Sequence, residues 1–135
     1  MSGIISIAMS GLNDASLRAA NAASNIANAS STSPLPAAGG TYGGFQPQDV
    51  VSLSASGGAA GSGVSSTLQP RAPSYVATAG STSPDANTNG LVATPNVDLG
   101  QELIALQTAQ LSYRADATLI KTSDKMQKNL LNAVS

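Results

Sequence analysis

The chain has 135 residues, enough for one domain, but only 3% are aromatic and alanine inflates the 41% apolar content, so any self-contained core is thin. Six basic and seven acidic side chains nearly balance, and no patch is basic enough to hold a nucleic-acid backbone. With no cysteine and no histidine, disulfides, thiol chemistry, the usual zinc ligands and histidine-based triads are excluded.

The N-terminal stretch MSGIISIAMSGL has no basic residue before Arg18, and serine and glycine break its apolar run, so no secretory signal is expected. Nor is there an apolar run of about 18 residues, so no direct membrane insertion is expected. Taken alone, these features read as cytoplasmic, although export by a route without a cleaved signal stays open.

Residues 3–28 read as an amphipathic helix. Ile5, Ala8, Leu12, Ala15, Ala19, Ala22 and Ile26 step by three and four, the spacing of one helix face. Asp14 and Arg18 can pair one turn apart on the exposed side. Alanines bury little area each but let another helix come close. The face therefore fits either a helix packed on its own domain or a thin helix in a crowded array.

Residues 29–49 lose the pattern, and Pro34 and Pro36 stop any helix. Short segments with strand character follow at Val50–Ser54, Val64–Leu68 and Tyr75–Thr78, the first two separated by the glycine-rich run Gly57–Gly63. Residues 79–95 look turn-like, with Pro84, Asn89-Gly90 and Pro95. Burying a large apolar side chain is worth about 1.5–3 kcal/mol. Ordering a residue costs about 1–2 kcal/mol. The span 29–95 has few large side chains to set against that cost. A small β-rich, Gly/Ser/Pro-rich insert is expected, partly flexible and ordered by its neighbours.

Residues 96–135 contain no proline and read as a long helix. Leu99, Leu103, Leu106, Tyr113, Ala117, Ile120, Leu131 and Val134 fall in a heptad-like row, with Gln110, Asp124 and Gln127 filling its gaps. Asp98 is placed to cap the start, and Glu102 puts negative charge in the first turn where the helix dipole favours it. Lys121, Lys125 and Lys128 gather toward the far end. A helix of roughly 50 Å needs a partner along its length. The expected fold is mainly α. Its N-terminal helix (1–28) and C-terminal helix (96–135) pair as an antiparallel coiled coil around the insert (29–95). Two helices alone leave apolar surface open, so further helices from other copies or other proteins are implied.

Residues for chemistry are missing. Lys121, Lys125 and Lys128 beside Asp124 read as a solvated helix end. The Gly57–Gly63 run matches neither dinucleotide nor phosphate-loop spacing. The carboxylates Asp14, Asp49, Asp85, Asp98, Glu102, Asp116 and Asp124 are scattered. No catalytic residue, cofactor or metal is expected.

Two motifs at opposite ends carry a family likeness. Ser10-Gly11-Leu12-Asn13 followed by Ala23-Ser24-Asn25-Ile26-Ala27-Asn28-Ala29 resembles the N-terminal motif of the flagellar axial proteins of bacteria, the rod and hook subunits. Asn89-Gly90-Leu91-Val92-Ala93-Thr94-Pro95-Asn96-Val97-Asp98-Leu99 resembles the approach to their C-terminal helix. Thr108-Ala109-Gln110, Tyr113, Ala115 and Ile120-Lys121-Thr122-Ser123-Asp124-Lys125-Met126 continue the match, and Leu130-Leu131-Asn132 closes it. Leu111 and Asp116 stand where the family commonly has Arg and Asn. The chain's length is similar to that of the short proximal-rod members.

The resemblance implies a non-enzymatic structural subunit that stacks helically with itself and other rod subunits around an export channel and transmits torque. It also implies export by the flagellar type III apparatus to the rod in the periplasmic space. The residues expected to carry assembly are Ile5, Leu12, Ala15, Ala19, Ile26, Leu103, Leu106, Tyr113, Ala117, Ile120, Leu130 and Leu131. The competing readings are a helical adaptor or export chaperone that forms a discrete complex, and an amphipathic protein of the membrane surface. Against the last, the first helix lacks the basic residues such proteins use.

Overall fold

The computed structural model describes residues 2–55 and 63–134; most of the glycine-rich run Gly57–Gly63 lies outside them. Helix α1 spans Ser2–Asn28, strands β1 to β4 span Gln48–Ser54, Val64–Pro70, Tyr75–Ala79 and Leu91–Pro95, and helix α2 spans Leu99–Val134. β1 pairs with β2 and β3 with β4, giving two separate two-stranded sheets.

This helix–strands–helix layout corrects the expected coiled coil with a Gly/Ser/Pro-rich insert. Two observations overturn it. The middle of the chain is built of two small antiparallel sheets. Several large side chains of the supposed seam are open to solvent, with Leu99 51%, Leu103 52% and Leu131 73% exposed. A further difference is β4, which occupies residues read as turn. Both of its backbone edges find partners, and that overrides its weak local signal.

The chain forms two compact units. The one made of residues 21–49 and 68–104 has its core around β4. β3 and β4 run antiparallel from Tyr75↔Pro95 to Ala79↔Leu91. On the other edge of β4, Ser33 exchanges backbone hydrogen bonds of 3.0 and 2.9 Å with Ala93. Val92 and Ala93 are accordingly buried. Tyr42 stacks on Tyr75 with ring centroids 4.6 Å apart. Asn87 Oδ1 accepts from the Asn89 and Leu91 amides to close the turn, and Gly90 takes the left-handed φ of 71° there.

A polar node completes this unit. The fully buried Asn25 donates from Nδ2 to the Gln48 carbonyl (2.9 Å) and to Glu102 Oε1 (3.1 Å), and its Oδ1 accepts the Gln48 amide (3.3 Å). Arg71 donates from Nη2 to the same Glu102 oxygen at 2.8 Å and to Asp49 Oδ1 at 2.5 Å. From Nη1 it reaches the Asn96 carbonyl at 3.1 Å. The hydrogen bond to Asp49 pushes the Arg71 pKa up against the cost of burial, and Glu102 adds to it.

The other unit comprises residues 1–20, 50–67 and 105–135. Asp14 of α1 holds the sheet side here. It accepts from the Ser52 hydroxyl, from Ser66 Oγ at 2.6 Å and from Arg18 Nε at 2.9 Å. Arg18 Nη2 in turn donates to Ser52 Oγ at 2.6 Å. Ser10 Oγ accepts the Val64 amide at 3.1 Å. Burial alone would raise the Asp14 pKa; the hydrogen bonds from Ser52, Ser66 and Arg18 outweigh it and leave the group below its ordinary value of 3.8.

Two predictions follow from these nodes. Asn25→Ala strips partners from the Gln48 backbone and from Glu102 and is expected to lower unfolding free energy by about 2–4 kcal/mol, read by urea titration. The lowered Asp14 pKa contributes stability that is fully present above pH 3.8 and disappears as pH falls through the folded-state value. The stability gap between the native chain and Asp14→Asn is therefore expected to be constant near neutrality and to close in acid.

Candidate assembly interface

The surface of α2 divides by side-chain type into three rows, each about a third of a turn from the next. The inward row is small and polar: Glu102, Ala109 and Ser123 are buried, while Leu106, Asp116 and Ile120 are half-buried. The matching row on α1 is Ala8, Ala15, Ala22 and Asn25, all buried. Alanines at seven-residue intervals return to one face of a helix and leave room for a close neighbour. Gly11 shows how close: a Cβ there would meet the Asp116 carboxylate at 2.5–2.9 Å.

A second row is apolar and open. Ile104, Leu111, Leu119, Met126 and Leu130 are 66%, 70%, 44%, 56% and 53% exposed. Ile4, Ile7 and Met9 add exposed apolar groups on α1. Exposed apolar side chains in such a row make this face a candidate interaction surface. The third row, Arg114, Lys121, Lys125 and Lys128, is basic and exposed.

The residues expected to carry assembly fall into three groups. Ala15 is buried. Ile5, Leu12, Ala19, Ile26, Leu106 and Ile120 are half-buried. Leu103, Tyr113, Ala117, Leu130 and Leu131 are exposed. Ala15, Ala19 and Tyr113 come together with Ala109 and Arg114 in the wall of a groove of about 270 Å³. Ile104, Leu111, Leu119 and Met126 were missed by the sequence reading. Their recurrence at seven residues, 104 to 111 and 119 to 126, was the available signal.

Catalysis finds no arrangement in the two polar nodes. Ser52 and Ser66 both donate their hydroxyl protons to Asp14, and these bonds together with Arg18 lower its pKa, so neither serine is paired with a free base. Among the described residues no group of three metal-ligating side chains occurs, and no helix is long and apolar enough to cross a membrane.

Residues 88–133, which take in β4 and nearly all of α2, match the family described as flagellar basal body rod FlgEFG protein C-terminal. Over 72 residues, 53% of the chain, the sequence is 36% identical to the flagellar hook protein FlgE of Escherichia coli (strain K12). The same identity and coverage hold for the flagellar hook protein FlgE of Salmonella typhimurium (strain LT2). Over these stretches the chain resembles the flagellar basal-body rod and hook proteins. It spans 18% of the length of these relatives.

The inner and open faces of the helices make opposite demands on added bulk. Gly3, in α1, has nothing within 4 Å of a built Cβ, whereas Gly11 is pressed by Asp116. Gly3→Ala is expected to raise unfolding free energy by up to about 1 kcal/mol through helix propensity. Gly11→Leu is expected to lower it by about 1–2 kcal/mol despite the same gain, through overpacking. Thermal unfolding of the two variants beside the native chain checks both signs.

Proposed function

We propose that the chain is a structural subunit of the flagellar basal-body rod, in its proximal part, and that it corresponds to the short proximal-rod protein lettered C. Copies stack helically through the terminal helices, 1–28 and 96–135, with each other and with other rod subunits. The stack surrounds the export channel and passes torque outward. The subunit reaches the periplasmic rod through the type III export apparatus.

The observation that carries this reading is the exposure of large apolar side chains along α2, in the segment that matches the rod and hook family. A helix of 36 residues is about 54 Å long. It offers neighbours a long apolar strip that its own chain leaves uncovered. Each Leu buried there on stacking is worth about 1.5–3 kcal/mol, and repetition over many copies turns modest contacts into a stiff wall. The expected assembly residues Leu103, Tyr113, Ala117, Leu130 and Leu131 are available for such contacts as they stand; the half-buried ones support the helix that presents them.

The test is complementation of a strain lacking the native copy. Leu103→Asp and Leu131→Asp, both at exposed positions, are expected to leave the soluble chain folded and abundant while abolishing its recovery in purified basal bodies and stopping swimming. Normal incorporation and swimming of both variants would overturn the proposal. A discrete complex with one partner, and no incorporation of the native chain, would instead identify an adaptor or export chaperone.

A further inference from the structure

The two compact units carry opposite net charge. The unit holding most of α2 has five basic and three acidic side chains, a net of +2; the unit around β4 has one basic and four acidic, a net of −3, and together they give the chain's −1. The separation is sharper at the surface. In the positive unit, Arg114, Lys121, Lys125 and Lys128 step by seven, four and three, so they share one row of α2. All four are exposed. Of the four, Lys128 alone has an ion pair among the described residues, with Asp124 at 2.8 Å.

In the negative unit the one arginine, Arg71, is held between Asp49 and Glu102, so that trio keeps a net negative charge with Asp49 52% exposed. Asp85 and Asp98 have no basic partner in the described residues; Asp85 accepts only a hydroxyl, from Thr32, and Asp98 accepts the Gly100 and Gln101 amides. One chain thus presents an exposed basic row on one unit and a net negative charge on the other.

We propose that the basic row of α2 is a docking surface for the acidic unit of a second copy of this chain. The contact is heterologous: the row of one copy meets the acidic unit of the next, where Asp49 and Asp98 are exposed and Asp85 is half-buried, so every copy keeps one used and one open surface and the series does not close on itself unless its rotation does. Charge complementarity sets the register and speeds encounter, while the apolar row beside it supplies burial. This deepens the structural-subunit reading and rests on it. An anionic membrane is the competing occupant of a basic row. The chain's own acidic surface, of equal magnitude or greater, favours the second copy.

Sedimentation equilibrium of the full chain tests the contact. Self-association is expected at low salt and is expected to weaken about tenfold or more between roughly 50 mM and roughly 500 mM NaCl, because the charges are exposed and screened. Lys121→Glu/Lys125→Glu reverses the row, and Asp85→Lys/Asp98→Asn brings the acidic unit to neutrality while Asn keeps the helix cap. Each double variant alone is expected to stay monomeric at low salt. Mixed, they are expected to form a one-to-one complex and stop there, because the intact row of one fits the intact acidic unit of the other.

Several outcomes overturn the inference: no association of the native chain at low salt, association indifferent to salt and to both double variants, or a mixture that stays monomeric. Binding of the native chain to vesicles of anionic phospholipid, lost in Lys121→Glu/Lys125→Glu and without self-association, would assign the row to a membrane. If the inference fails while Leu103→Asp still blocks incorporation into basal bodies, the subunit reading stands without it. If Leu103→Asp is incorporated normally, that reading fails whatever the sedimentation shows.

Discussion

The unit around β4 depends on a buried amide. Asn25 sits at the end of α1, satisfies both backbone groups of Gln48 where β1 begins, and reaches Glu102 in the first turn of α2. Glu102 would be costly to bury alone; Arg71 at 2.8 Å and Asn25 at 3.1 Å share its oxygen and offset that cost. The geometry is demanding, because an amide that must serve two backbone groups and a carboxylate fixes both where the strand enters and how the helix starts. A leucine at the same place would fill the space but impose none of these directions. In a chain with so few large side chains, orientation set by hydrogen bonds takes over part of what a larger apolar core would do.

The second consequence of that composition lies in how the apolar residues are distributed. The buried positions of the two helices go to Ala8, Ala15, Ala22 and Ala109, while Ile104, Leu111, Leu119, Met126 and Leu130 stand outside. A fold seeking only its own stability would place them the other way round, since alanine burial yields little and an exposed leucine contributes nothing to the isolated chain. The arrangement makes sense when the large residues are completed by neighbours. The small ones then leave room for another helix to come close.

The sequence made the helices legible and misread what they pack against. Three-and-four spacing located α1 and α2, and Asp98 does cap α2 through the Gly100 and Gln101 amides. The row assigned to α2 was turned too far, however. It took Leu103, Ala117 and Leu131, whereas the residues one position away, Glu102 and Asp116, lie inward. Apolar periodicity ranks leucine above glutamate, and it has no means of seeing Arg71, which approaches from 31 residues away in sequence. β4 was hidden for a related reason. Leu91–Pro95 has no strong alternation, and its order comes from β3 on one edge and Ser33 on the other, partners that local pattern does not contain. Asn25, for its part, was read as a motif letter, and the reading put Ile26 on the core face.

The sheet side of the other unit extends the same logic to polar contacts near the surface. Asp14 and Arg18 look in sequence like an ordinary pair one turn apart, worth little in solvent. In place, the pair also takes Ser52 and Ser66, which lie 38 and 52 residues away from Asp14. A surface pair therefore becomes an attachment point for β1 and β2, and three donors converge on one carboxylate. Burial by itself would drive that carboxylate toward the neutral form; that its pKa is lowered instead means the donors prevail. The chain thus uses the same device in both units, an acidic or amide side chain on a helix that collects distant donors. In each case a thin helix gains a fixed partner without spending its large apolar residues, which stay exposed.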